Sequence, residues 1–180
     1  KEQNIAVVIF MMDRSGSMGE DETYIARAVC WWAVEFLRSK YPKVDIVFIV
    51  HETEAKEVEN EQDFFKQGSS GGTMCSSANR LAVDVIKNRY PPDQYNIYPL
   101  HLSDGDNYSI DNEECLRVVQ ELLNMGINQY GYVQIGRQSD STLLSLYRYA
   151  IKDPRFNGVN IHEKQHVWYA LQEIFKPDKQ

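Results

Sequence analysis

The sequence predicts an α/β fold: a doubly wound, mostly parallel sheet with helices on both faces and one short antiparallel edge strand. Three observations carry this. Apolar runs of strand length, "IAVVIFMM" (5–12) foremost, lack polar alternation, as strands buried on both faces require. Longer stretches between them place apolar residues at helical spacing. The two kinds alternate regularly along 180 residues, a length that suits one domain with a sizeable core.

The elements follow in order. After the strand at 5–12, "DETYIARAVCWWAVEFLRSKY" sets Ile25, Val29, Trp32 and Phe36 on one helical stripe with Leu37 beside it, and Pro42 helps to end it. "VDIVFIVHE" (44–52) is the second strand, and "AKEVE" (55–59) pairs with it through a tight turn as the antiparallel edge. The mixed charges from Glu52 to Asp63 mark a solvated edge. A glycine- and serine-rich loop, "QGSSGGTMCSS" (67–77), leads into a helix carrying Leu81, Val85 and Ile86, which Pro91-Pro92 breaks. "YNIYPLHLS" (95–103) is the next strand, with a bulge or kink expected at Pro99, where a missing N–H would cost a ladder bond. A helix over 111–125 uses Cys115, Leu116, Val119, Leu122 and Leu123 and is capped by Gly126. "INQYGYVQIG" (127–136) is a strand, "STLLSLYRYA" a helix, "GVNIH" (158–162) an edge strand and "EKQHVWYALQEIF" a closing helix.

Composition excludes several function classes. A net charge of −7 argues against general nucleic-acid binding, which needs a basic face. Cys30, Cys75 and Cys115 are odd in number and widely spaced, so neither a disulfide framework nor a zinc site is predicted, and a reducing, cytoplasmic setting is. No apolar run approaches the ~20 residues of a membrane span. The N-terminal Lys1-Glu2-Gln3-Asn4 is no signal peptide and lacks an initiator Met, as expected for the C-terminal part of a longer protein.

Ligands of open parallel sheets gather beyond the carboxyl ends of the strands. Three oxygen-rich segments fall there: Asp13-Arg14-Ser15-Gly16-Ser17, Gly71-Gly72-Thr73 and Ser103-Asp104-Gly105-Asp106-Asn107. Each alone fits an N-cap or a flexible loop; together they form a hard-oxygen set suited to Mg²⁺ or Mn²⁺. Asp13-x-Ser15-x-Ser17, then Thr73, then Asp104 in "SDG", resemble the metal-ion-dependent adhesion site of von Willebrand factor A-type domains, whose fold is Rossmann-type. "MMDRSGSMGE", "VFIVHETEAKEV", "SSGGTMCSSA" and "YPPDQYNIYPLHLSDGDN" are similar to segments of the bacterial YeaH/YhbH family, cytoplasmic proteins associated with stress response and sporulation. The resemblance implies that Ser15 and Ser17 bind the ion directly, Thr73 directly or through water, and Asp13 and Asp104 through bound waters. It further implies a protein partner presenting an acidic residue, in a pathway with a PrkA-type serine kinase. Gly72, Asp106 and His51 are expected at the rim or in support.

Other readings compete. A strand-end Asp with magnesium also resembles haloacid-dehalogenase phosphatases, but these want a second Asp where Ser15 stands. "GSSGGT" lacks the lysine of a phosphate-binding loop, and "DGDNYSIDNEE" misses the EF-hand spacing. Asp111, Glu113 and Glu114 are expected to serve the first turn of their own helix. His51 is expected to close a hairpin, His101 to be a satisfied core residue, and Trp31-Trp32 to bury one ring. A scaffold with an inactive metal site is the remaining alternative.

Overall fold

A computed structural model describes residues 4–68 and 71–176. Lys1-Glu2-Gln3 and Ser69-Ser70 of the glycine-rich loop lie outside the described residues. Six strands, β1 (Ile5–Asp13), β2 (Lys43–His51), β3 (Ala55–Val58), β4 (Asn96–Ser103), β5 (Tyr130–Ile135) and β6 (Phe156–Ile161), form one sheet in the order β3-β2-β1-β4-β5-β6. All neighbours are parallel except β2 and β3, which pair antiparallel from Phe48↔Val58 to His51↔Ala55. The helices are α1 (Glu20–Lys40), α2 (Glu61–Phe64), α3 (Cys75–Arg89), α4 (Asn112–Asn124), α5 (Thr142–Ala150) and α6 (Val167–Ile174). The one-turn α2 falls in the charge run read as a solvated edge; its Phe64 is buried and Asn60 caps it.

Strand periodicity sorts the core into two layers. Ala6, Val8, Phe10 and Met12 face α1 and α6, whereas Val7, Ile9 and Met11 face α3, α4 and α5. Because helices cover both sheet faces over β1, and β2 and β4 pair with both of its edges, its sequence reads as unbroken apolar residues.

Three expectations change. The buried stripe of α1 is Ile25, Ala26, Val29, Cys30, Ala33, Val34 and Leu37. Successive helical residues stand about 100° apart, so a stripe centred on Ala33 leaves Trp32 at its flank. Trp31 and Trp32 are both exposed, at 56% and 48%, and pack edge to face on each other. Phe36 is also exposed and stacks on Phe175. At Pro99 the strand keeps its register, with Ile9↔Pro99 continuous on the β1 side. On the other side β5 pairs only from Leu100 onward, so Pro99 has no ladder position to fill there. No helix among the described residues is long and apolar enough to cross a membrane, in line with the lack of a long apolar run in the sequence.

Candidate functional site

Asp13 is the last residue of β1 and is only 1% exposed. Its Oδ1 accepts the Ser15 N–H at 2.7 Å, closing a local turn that aims the next hydroxyls back over the strand end. Its Oδ2 accepts the Ser103 hydroxyl at 3.0 Å, from the end of β4 and 90 positions away. Ser15 Oγ and Ser17 Oγ lie 3.0 Å apart. The Ser103 hydroxyl also accepts the Gly105 N–H at 3.1 Å, and Gly105, at φ +87°, turns the chain so that Asp104 faces the same mouth.

Asp104 is 4% exposed. Its Oδ1 accepts the Asp106 N–H at 2.9 Å, while Oδ2 is buried with no partner of hydrogen-bond geometry. Burial pushes the Asp104 carboxyl above its ordinary value; the Ser17 hydroxyl opposes this and the nearby Asp13 charge adds to it. Thr73 is buried in the third loop. Its carbonyl accepts the Tyr108 N–H at 3.1 Å, and the Met74 N–H donates to the Glu52 carbonyl at 2.9 Å. The Thr73 loop is thereby tied through its backbone to the loop after β4 and to the end of β2, where the Arg14 N–H also donates to the His51 carbonyl at 2.8 Å. Ser15, Ser17, Gly72, Thr73, Asp106 and Asn107 line an open depression of about 470 Å³ at this mouth.

The supporting residues divide. Gly72 sits where a Cβ would fall 1.5 Å from the Tyr108 hydroxyl, so glycine lets that ring lie across the loop. Asp106 is exposed and its carboxylate pairs with Arg137, leaving its backbone N–H as its link to Asp104. His51 stands beneath the mouth rather than at its rim: it is 1% exposed and its Nε2 lies 2.8 Å from His101 Nε2.

Several residues organise the site through contacts that the sequence did not indicate. Helix α3 begins after Met74 and has no capping side chain of its own. Asn107 Oδ1 accepts the Cys75 N–H at 2.9 Å and Asp111 Oδ2 accepts the Ser76 N–H at 3.0 Å, so the free N–H groups of its first turn are satisfied from the loop after β4. Asp111 also accepts the hydroxyl of Ser76 and the thiol of Cys115. Asp111 therefore stands at the start of its own helix, as expected, and also serves the start of α3, which the sequence did not indicate. Glu114 does lie in the first turn of α4, and hydrogen bonds from Arg117 and Arg80 lower it to about 2.

Below this layer, His51, Cys75 and His101 bring one ligand atom each to within 4.8 Å of one another. Burial pushes both imidazoles down, so the rings are neutral at pH 7. A hydrogen bond with Cys115, then burial, pushes the Cys75 thiol well up. His101 is not the satisfied core residue expected, because its Nδ1 is buried with no partner. Spacing could not reveal this cluster, since its members come from β2, α3 and β4.

Proximal thread matrix protein 1 of the mussel byssus aligns over 95% of this chain and 45% of its own, with TM-score 0.62 and 10% identity. The ArnB paralog VWA2 of Sulfolobus acidocaldarius aligns over 94% of this chain and 44% of its own, with TM-score 0.59 and 15% identity. At such identities the likeness establishes the fold, a von Willebrand A-like α/β sheet. Among curated bacterial proteins, UPF0229 protein BH1031 of Halalkalibacterium halodurans is 49% identical over 97% of this chain and 45% of its own length. UPF0229 protein ABC1477 of Shouchella clausii is 51% identical over 95% of this chain and 43% of its own. The chain thus spans less than half the length of these relatives. With residues 1–178 matching the family described as "Protein of unknown function (DUF444)", the chain belongs to that DUF444/UPF0229 family.

Proposed function

We propose that the chain is a divalent-cation-dependent protein-binding module. Ser15 and Ser17 would hold Mg²⁺ or Mn²⁺ through their hydroxyls, Thr73 directly or through water, and Asp13 and Asp104 through bound waters. When bound, the cation offers an outward coordination position to a carboxylate of a partner protein. The observation that carries this reading is the buried, unpartnered Asp104 Oδ2 in one mouth with Asp13 and the serine hydroxyls. A carboxylate oxygen removed from water without a partner is costly, and a hard cation is the counter-charge that this all-oxygen set prefers. The family resemblance supports a setting in the bacterial cytoplasm, in stress-response or sporulation regulation alongside a PrkA-type kinase.

A ligand that binds only the folded chain raises its melting temperature with concentration. At about a hundredfold excess over Kd, the gain of roughly 2.7 kcal/mol corresponds to roughly 5–10 °C for a chain of this size. Thermal melts in Mg²⁺, Mn²⁺ and EDTA should show this rise, and the double change Ser15→Ala, Ser17→Ala should remove it. Unchanged melting with both ions overturns the reading. Mg²⁺-dependent hydrolysis of p-nitrophenyl phosphate, abolished in Asp13→Ala, would make the chain a phosphatase instead.

A further inference from the structure

We infer that His51, Cys75 and His101 form a second metal site, chemically distinct from the oxygen-lined mouth, that takes a borderline-soft cation such as Zn²⁺. Three potential ligand atoms, two imidazole nitrogens and one sulfur, already lie within 4.8 Å of one another in residues that are essentially inaccessible to water. This donor set suits Zn²⁺ or Cu⁺ and is a poor match for Mg²⁺. Simple packing does not ask for it. Ile49 lies one step before His51 on the same face of β2, and Met11 of β1 is level with Ile49 and His101, so an apolar residue at 51 or 101 would continue that layer.

The hydrogen bonding is that of a cluster with room to rearrange. His51 Nδ1 stands 3.4 Å from the Glu52 carbonyl, the outer tether that orients a ligating imidazole, which leaves His51 Nε2 as the acceptor and His101 Nε2–H as the donor of the 2.8 Å contact. His101 Nδ1, buried and unpartnered, ties that ring to nothing else. Tetrahedral zinc, with Zn–N of about 2.0–2.1 Å and Zn–S of about 2.3 Å, needs the two nitrogens about 3.3 Å apart. The rings must therefore part by about 0.5 Å from the 2.8 Å observed, and tilting His101 breaks no hydrogen bond beyond that contact.

The protons balance. His101 shifts its proton from Nε2 to Nδ1 without net release, and the Cys75 thiol gives its proton to solvent as the sulfur–metal bond forms. One proton leaves per divalent ion and no electron is transferred. His51 also lines a separate open depression of about 270 Å³, whose charged residues are Arg14, Glu52, Glu54 and Lys56 and which is a source of water for the fourth position.

The test uses the 180-residue chain, freed of metal under reducing conditions and titrated with Co²⁺ and then Zn²⁺. One equivalent of Co²⁺ should give tetrahedral d–d bands and a thiolate charge-transfer band, both bleached by Zn²⁺. Cys75→Ala should lose the charge-transfer band and weaken Zn²⁺ binding about 100-fold or more. The double change Ser15→Ala, Ser17→Ala should keep both features, as should His162→Ala, His166→Ala, which removes the surface imidazole pair. X-ray absorption of the unaltered Zn²⁺ protein, which is independent of variant folding, should show one sulfur near 2.3 Å and two nitrogens near 2.0–2.1 Å, distances of about the usual zinc values. Absence of a thiolate band, its survival in Cys75→Ala, or a zinc shell without sulfur overturns the inference.

Discussion

At the residue scale, Asp104 carries the tension of the site. Its carboxyl is raised by burial and by the Asp13 charge, against the pull of the Ser17 hydroxyl. Folding therefore holds its proton more tightly than the unfolded chain does. Stability falls as pH rises from the ordinary 3.8 to the raised value and stays lower above it. At pH 7, with EDTA present, the ionised side chain is a liability. Asp104→Asn should then melt higher than the native protein, by about 2–4 °C for each kcal/mol recovered. That advantage should disappear as pH falls below the raised value, and Mg²⁺ should no longer stabilise the variant. A variant that melts lower in EDTA at pH 7 would contradict this account. A residue costly to the fold, and proposed to serve a ligand, is where stability and function are expected to conflict.

At the element scale, loop packing decides how the strand ends are presented. Gly68 approaches the β1 loop so closely that a Cβ would fall 1.9 Å from the Arg14 carbonyl oxygen. Arg14 lies between Asp13 and Ser15, and backbone cannot swing aside as a side-chain tip can. Gly68→Ala should cost about 1–3 kcal/mol, seen as a lower urea midpoint at unchanged slope, and should blunt the Mg²⁺ response. Gly72→Ala is the contrast. There the new atom meets only the end of the half-exposed Tyr108 ring, which can rotate out, so the urea midpoint should scarcely move. The cross-loop capping of α3 by Asn107 and Asp111 belongs to this scale too: it ties the start of one helix to the loop that carries Asp104.

For the whole molecule, the two hydrophobic layers share one sheet. Phe10 and Met12 belong to the layer under α1 and α6, while their neighbours Ile9 and Met11 belong to the other. Neither layer can lose its strands without dissolving the other, so unfolding should be a single cooperative transition. All three tryptophans, Trp31, Trp32 and Trp168, lie on α1 and α6, whereas the buried rings Tyr130, Tyr132 and Tyr147 lie in the opposite layer. Tryptophan fluorescence and near-ultraviolet tyrosine dichroism should therefore report the same urea midpoint. Separate midpoints would mean that the layers unfold independently.

The sequence by itself determined the order of elements, the parallel sheet and the antiparallel β3 edge, because burial on both faces demands unbroken apolar strands and helices demand a different period. It also marked Asp13, Ser15, Ser17, Thr73 and Asp104, since short oxygen-bearing side chains at strand ends stand out against apolar runs. It misplaced Trp32 and Phe36, whose hydrophobicity says nothing about which flank of a stripe meets the sheet. Only the tertiary structure decided the hydrogen bond from Ser103 to Asp13, the capping of α3 by Asp111, and the meeting of His51, Cys75 and His101. Those contacts join residues 24 to 90 positions apart, and no local periodicity encodes a pairing that arises only when strand order places separate ends of the chain side by side.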